Sequence, residues 1–280
     1  MKKKQGKIGI FDSGLGGLTI LREAIKLMPD REYLYLGDNL RAPYGDRTQK
    51  KIFQYTLAGV EWLFGMGAEI VILACNTASA NALRKIQQEV LPSRFPNKKV
   101  LGIIIPTAEE VSNFSKSGHI GVLATRATVA SGTFEKEVKK YGPRIKISSQ
   151  SGGKLVELIE SSGDKKTLES EIGKITCRLI AKDKLIDSII LGCTHYALIE
   201  KQIKKILPKG VSVINQGEIV AMKLADYIKR HAEISQKLSS HPGVCFYTTA
   251  DSAEIKKKMV RFYGSKICIE TVSYEVEIKH

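Results

Sequence analysis

Short apolar runs alternate with longer amphipathic segments along this chain, and no other feature limits its folding choices so tightly. The runs occupy 7–11, 32–36, 69–74, 100–104, 119–123, 144–148, 187–191 and 211–214. Strands that are apolar on both sides need cover on both sides, and helices placed between successive strands supply it. Two such helices are legible by their period, 18–27 stopped by Pro29 and 48–64 stopped by Gly65. The expected class is therefore α/β, with parallel, doubly wound sheets.

A chain of 280 residues exceeds the roughly 250 that a single core fills efficiently, so two units are expected. The halves echo one another. Ile8-Gly9-Ile10-Phe11-Asp12-Ser13 resembles Ile120-Gly121-Val122-Leu123-Ala124-Thr125, and Ile72-Leu73-Ala74-Cys75-Asn76-Thr77 resembles Ile190-Leu191-Gly192-Cys193-Thr194-His195, at offsets of 112 and 118 residues. Such a repeat predicts two similar lobes related by a pseudo-twofold axis, facing a shared cleft. Turn-forming Pro96-Asn97-Lys98 and Pro208-Lys209-Gly210 set the expected boundaries: residues 1–97 with 211–280 for the lobe carrying Cys75, and 98–210 for the lobe carrying Cys193. Further helix and strand patterns after Val211 would return to complete the first lobe.

The five cysteines, Cys75, Cys177, Cys193, Cys245 and Cys268, are odd in number and include no C-x-x-C pair. Reduced thiols in the cytoplasm are expected, rather than a disulfide framework or a zinc site. The basic start is followed by too short an apolar run for a secretory signal, and no stretch approaches the ~18 apolar residues of a membrane span. His119, His231, His241 and His280 are scattered, so no metal ion is expected. A net charge of +15 raises the question of nucleic acid. The basic clusters at 2–4, 50–51, 98–99, 139–140, 204–205 and 256–258 are dispersed and lack interleaved aromatics. A solvated basic surface that favours anionic substrates is the expectation, not nucleic acid as the main partner.

Asp12-Ser13-Gly14-Leu15-Gly16-Gly17 follows a strand and opens a helix, where open α/β sheets bind ligands. Its glycine spacing fits neither a Walker loop nor the dinucleotide fingerprint, so its backbone N–H groups read either as a tight turn or as contacts for a small charged substrate. Cys75 ends an apolar strand, with Asn76 or Thr77 placed to cap the helix that follows, and Cys193 repeats the arrangement. One thiol after a strand is ordinarily an inert core residue; two in equivalent places are a different matter. Inverting a stereocentre by proton transfer needs a base on one face of the carbon and an acid on the other, and a thiol with an ordinary pKa of ~8.5 can serve as either. Asp12, at a strand end of the first lobe, and His195, two residues after Cys193, are each placed to accept or deliver a thiol's proton. The loop Gly37-Asp38-Asn39-Leu40-Arg41-Ala42-Pro43-Tyr44-Gly45 reads by itself as a surface turn.

Taken in order, Ile10-Phe11-Asp12-Ser13-Gly14, Gly37-Asp38, Pro43-Tyr44-Gly45, Ala74-Cys75-Asn76-Thr77-Ala78-Ser79 and Leu191-Gly192-Cys193-Thr194-His195-Tyr196 resemble the glutamate racemases of bacterial cell-wall synthesis, within the aspartate/glutamate racemase superfamily. The resemblance implies a cofactor-independent enzyme that interconverts L- and D-glutamate. Cys75 and Cys193 would be its acid/base pair, supported by Asp12, His195 and Glu160. It implies substrate contacts from Asp12, Ser13, Tyr44, Gly45, Asn76, Thr77, Thr125, Thr128, Thr194 and His195. The segment 148–154 departs from the Cys-Pro-containing stretch of many members, and Asn215-Gln216 stands where an aspartate is common. A racemase of aspartate or another amino acid is the alternative enzyme, and a basic thiol-containing binding or redox-sensing protein is the alternative of another class. A homodimer is left open.

Overall fold

A computed structural model describes residues 6–161 and 164–276; Lys2 to Lys4 and His280 lie outside the described residues. The strands are β1 Lys7–Asp12, β2 Glu32–Gly37, β3 Ala68–Leu73, β4 Lys99–Gly102, β5 His119–Ala124, β6 Lys146–Ser151, β7 Ser188–Gly192, β8 Ser212–Ile214, β9 Gly243–Thr248 and β10 Ile269–Thr271. They form a sheet of order β10-β9-β2-β1-β3-β4 and a second of order β6-β5-β7-β8. Every pairing is parallel. The order β2-β1-β3-β4 recurs as β6-β5-β7-β8, the expected repeat expressed as topology.

Sheet membership changes at places other than the expected 97/98 and 210/211 edges. Lys99–Gly102 pairs with β3 in the first sheet and Ser212–Ile214 pairs with β7 in the second. The chain thus leaves the first sheet after Gly102 and the second after Ile214. Proline- and glycine-rich turns mark where the chain reverses, but not which sheet receives the next strand. The expected strand 100–104 also ends early, because a helix, Ile104–Glu109, begins there, and the strand expected at 144–148 lies later, at β6. β9 and β10 do return to the first sheet beside β2.

Helices occupy the places the pattern assigned them. The one expected at 48–64 spans Gln49–Gly65, and Thr48 caps it by accepting the Lys51 N–H at 3.4 Å. One apolar cluster runs through both lobes, joining Ile8, Ile10, Ile70 and Ile72 to Leu123, Ile189 and Leu191. The outer faces have their own clusters, around Phe11, Leu36 and Leu73 in the first lobe and Val122 and Ile190 in the second. Each such buried Leu or Ile contributes roughly 1.5–3 kcal/mol relative to exposure. No helix among the described residues is long and apolar enough to cross a membrane.

In each sheet the connections run outward in opposite directions from one strand pair, β1/β3 and β5/β7. That divergence opens a crevice at the carboxyl ends of the strands. Asp12 ends β1, Cys75 lies two residues past β3, Thr125 follows β5, and Cys193 follows β7 directly.

Candidate active site

The two crevices share a single cavity. Its walls are Ser13, Gly14 and Ala42 to Gly45 from loops of the first lobe, Cys75 to Thr77, and from the second lobe Thr125, Val156, Glu160 and Cys193 to His195. Both cysteines are buried, yet both line this space. Asp12 and Thr128 lie behind the wall, each about 1% exposed.

Cys75 itself caps the helix Asn76–Lys85, its sulfur accepting the Ala78 N–H at 3.5 Å. This corrects the expectation that Asn76 or Thr77 would cap: both lie inside the helix, and the extended backbone at Cys75 turns its side chain back over the first turn. Ser13 Oγ stands 3.2 Å from the same sulfur. Burial, reinforced by the charge of Asp12 and opposed by the Ser13 and Ala78 hydrogen bonds, pushes the Cys75 thiol up to about 12. Its proton is therefore held near neutrality. Burial also raises the Asp12 carboxyl above the usual range, against the charge of His195 and the N–H groups of Gly14 and Gly17. One oxygen, Oδ2, accepts the Gly14 N–H at 2.9 Å, while Oδ1 is buried without a partner.

Cys193 faces a different neighbour. Its sulfur lies 4.0 Å from His195 Nδ1, and His195 Nε2 lies 2.7 Å from Glu160 Oε1. Burial alone would strip the imidazole of its charge; the contacts with Cys193 and Glu160 outweigh that and raise His195 to about 10. Glu160 stays below the usual range because His195, Lys258 and Arg261 overcome its own burial. The helix Ala253–Tyr263 backs the pair from the first lobe: Phe262 meets the His195 ring edge-on at 5.7 Å, and Arg261 donates to the Ile159 carbonyl at 2.9 Å. A histidine ordinarily titrating near 6.5 that folding raises to about 10 adds stability. That contribution is whole below about 6.5 and is lost as pH climbs toward 10. The stability gap between wild type and His195→Gln, measured by chemical denaturation, is expected to shrink between about pH 6 and pH 10; a gap that holds constant or widens would contradict this charge state.

Three threonines join the lobes beside the cysteines. Thr77 Oγ1 lies 2.8 Å from Thr125 Oγ1 and 3.3 Å from Thr128 Oγ1, and Thr125 and Thr128 are 2.9 Å apart. The loop that read as a plain surface turn is anchored: Tyr44 donates to Asp38 Oδ2 at 2.5 Å, and Arg41 and Thr249 donate to Asp38 Oδ1 at 2.7 and 2.9 Å. Asp38 is fully buried, which a charge tolerates only when paired in this way. Its network fixes Tyr44, and with it Gly45, in the cavity wall.

The model of the Asp/Glu/hydantoin racemases matches residues 19–224. A glutamate racemase of Ruegeria pomeroyi is 38% identical over 270 residues, 93% of this chain and 97% of that protein. The chain belongs to the Asp/Glu/hydantoin racemase family. By that membership it is an amino-acid racemase. Among solved members of the family, glutamate racemase isoform RacE1 from Bacillus anthracis superposes with a TM-score of 0.88 at 31% identity, covering 98% of this chain and all of that one. The glutamate racemase from Francisella tularensis, solved with D-glutamate, gives 0.84 at 29% identity, covering 96% and 98%.

Two contacts of this candidate site go beyond what the sequence shows, although both residues, Gly16 and Gln216, lie in segments it singles out. A Cβ on Gly16 would stand 2.2 Å from Thr194 Oγ1 and 2.7 Å from His195 Nδ1, so the bare backbone there lets the Cys193 loop press against the first lobe. Gln216, buried and far along the chain, accepts from Asn76 Nδ2 at 2.7 Å. Neither contact has a local pattern from which it could be read.

Proposed function

We propose that this racemase interconverts L- and D-glutamate by moving protons at Cα between Cys75 and Cys193, without a cofactor. The observation that carries the reading is that one small cavity is lined by two thiols that follow topologically equivalent strands, Cys75 beside the Ser13 hydroxyl and Cys193 beside the His195 ring. Cys193, beside the His195 cation, takes the α-proton of the L form, while Cys75, which holds its proton, returns one to the opposite face. The reverse direction exchanges the roles. The unpartnered Oδ1 of Asn76, on the cavity wall, suits an α-ammonium, and the unpartnered Oδ1 of Asp12 lends negative charge from behind that wall. Ser13, Thr77, Thr125 and Thr194 offer hydroxyls to the carboxylates, with Thr128 supporting from behind. The carbanion spreads its charge onto the carboxylate, where preorganised donors stabilise it. The product would serve peptidoglycan synthesis in the cytoplasm.

Purified protein given L-glutamate in deuterated water is expected to accumulate D-glutamate carrying deuterium at Cα. Absence of both inversion and label from the wild-type protein would sink the proposal. Greater turnover of aspartate than of glutamate in the same assay would move the substrate and leave the chemistry.

A further inference from the structure

We propose that Gln216 is a positioning residue that fixes which end of the Asn76 amide faces the substrate. The relay starts at Ile103, whose carbonyl can only accept. Gln216 Nε2 donates to that carbonyl at 3.2 Å and to Thr107 Oγ1 at 2.9 Å, and Thr107 donates to the same carbonyl at 3.0 Å. The Gln216 amide nitrogen is thereby committed to that side, which leaves Oε1 to face Asn76. An oxygen accepts, so Asn76 must present Nδ2, at 2.7 Å. Its own Oδ1 then points away from Gln216; it is buried and without a partner, on a side chain that lines the cavity. The relay has one polarity, set by a backbone carbonyl, and it ends in an acceptor suited to an ammonium.

Its location matters as much as its polarity. Ile103 is the first residue after β4, where the chain leaves the first sheet, and Gln216 lies two residues after β8, where it leaves the second. The Ile103 N–H is tied as well, to Ser79 Oγ at 3.3 Å in the helix that Cys75 caps. Gln216 is 2% exposed, so water does not compete for these bonds. Asn76 is thus held against both passages between the sheets.

The inference rests on the glutamate reading for its kinetic part only. Gln216→Met keeps the side chain's length and removes its amide. In this variant the Asn76 side-chain amide, assigned in nitrogen-15 spectra by its loss in Asn76→Ala, is expected to exchange with solvent at least about tenfold faster than in wild type. Unchanged exchange would overturn the relay, whether or not the protein turns over glutamate. For turnover, the Michaelis constant for glutamate is expected to rise about tenfold, the scale of one hydrogen bond to a charged group, with kcat within about threefold. Adding Gln216→Met to Asn76→Ala is expected to change neither further. Equal losses in both backgrounds, or a loss confined to kcat, would mean that Gln216 only supports the fold and would overturn the proposal. Should Gln216→Met not fold, Gln216→Leu, which likewise lacks the amide, tests the same bond: faster Asn76 exchange supports the relay and unchanged exchange overturns it. A wild type that fails to racemise glutamate sinks the function and leaves the exchange result to decide the relay.

Discussion

Cys193→Ala is expected to lose about a thousandfold or more of glutamate racemisation, as removal of one positioned acid/base group does, and yet to keep exchanging the α-proton of one enantiomer. With Cys193 gone, Cys75 can still remove a proton from the face it meets and return a solvent-derived one to that same face. Label would enter D-glutamate and not L-glutamate, and Cys75→Ala would show the reverse. The two variants should also differ in pH response. Cys75 releases its proton only near about 12, so label uptake by Cys193→Ala is expected to climb about tenfold per pH unit between roughly 8 and 10. Entry of label into both enantiomers in either variant would falsify the two-thiol assignment.

Gly16→Ala is expected to cost about a hundredfold in kcat/KM although the methyl group touches no substrate. The new Cβ would meet Thr194 Oγ1 at 2.2 Å and His195 Nδ1 at 2.7 Å. Both neighbours sit in a buried turn, Thr194–Ile199, so they yield by moving the turn, and Cys193 moves with it. A displacement near 1 Å at reacting groups is worth about a hundredfold, beyond any overpacking cost to stability of roughly 1–3 kcal/mol. Gly65→Ala is the matched control: a Cβ there meets nothing within 4 Å at the end of a helix, and activity should stay within about twofold. Comparable loss in both variants, measured as initial rates on folded protein, would assign the effect to something other than the contact.

Strand positions and the repeat were legible because a strand covered on both faces must be apolar at nearly every residue, as Ile8 to Phe11 and Ile189 to Leu191 are. The cysteine pair stood out for the same reason, since each follows the third strand of its repeat. What escaped reading depends on distance in sequence. Lys99–Gly102 carries no mark saying that its partner is β3, and the boundary was misplaced accordingly. The Cys75 cap was missed because sulfur is an unusual capping atom, whereas Asn76 and Thr77 are of types that ordinarily cap. Gln216 lies 140 residues from Asn76, and a polar relay of that span leaves no period and no spacing. Glu160, 35 residues from His195, entered only through resemblance.

The two passages of chain between the sheets have a mechanical consequence. A body fastened to another at two points keeps one easy degree of freedom, rotation about the line through the fasteners, whereas twist and lateral slip are resisted. Gln216 and Ile103 sit on that line. Thr77 and Thr125 meet across the lobes at 2.8 Å, so a rotation of that kind that opened the cavity would have to part them.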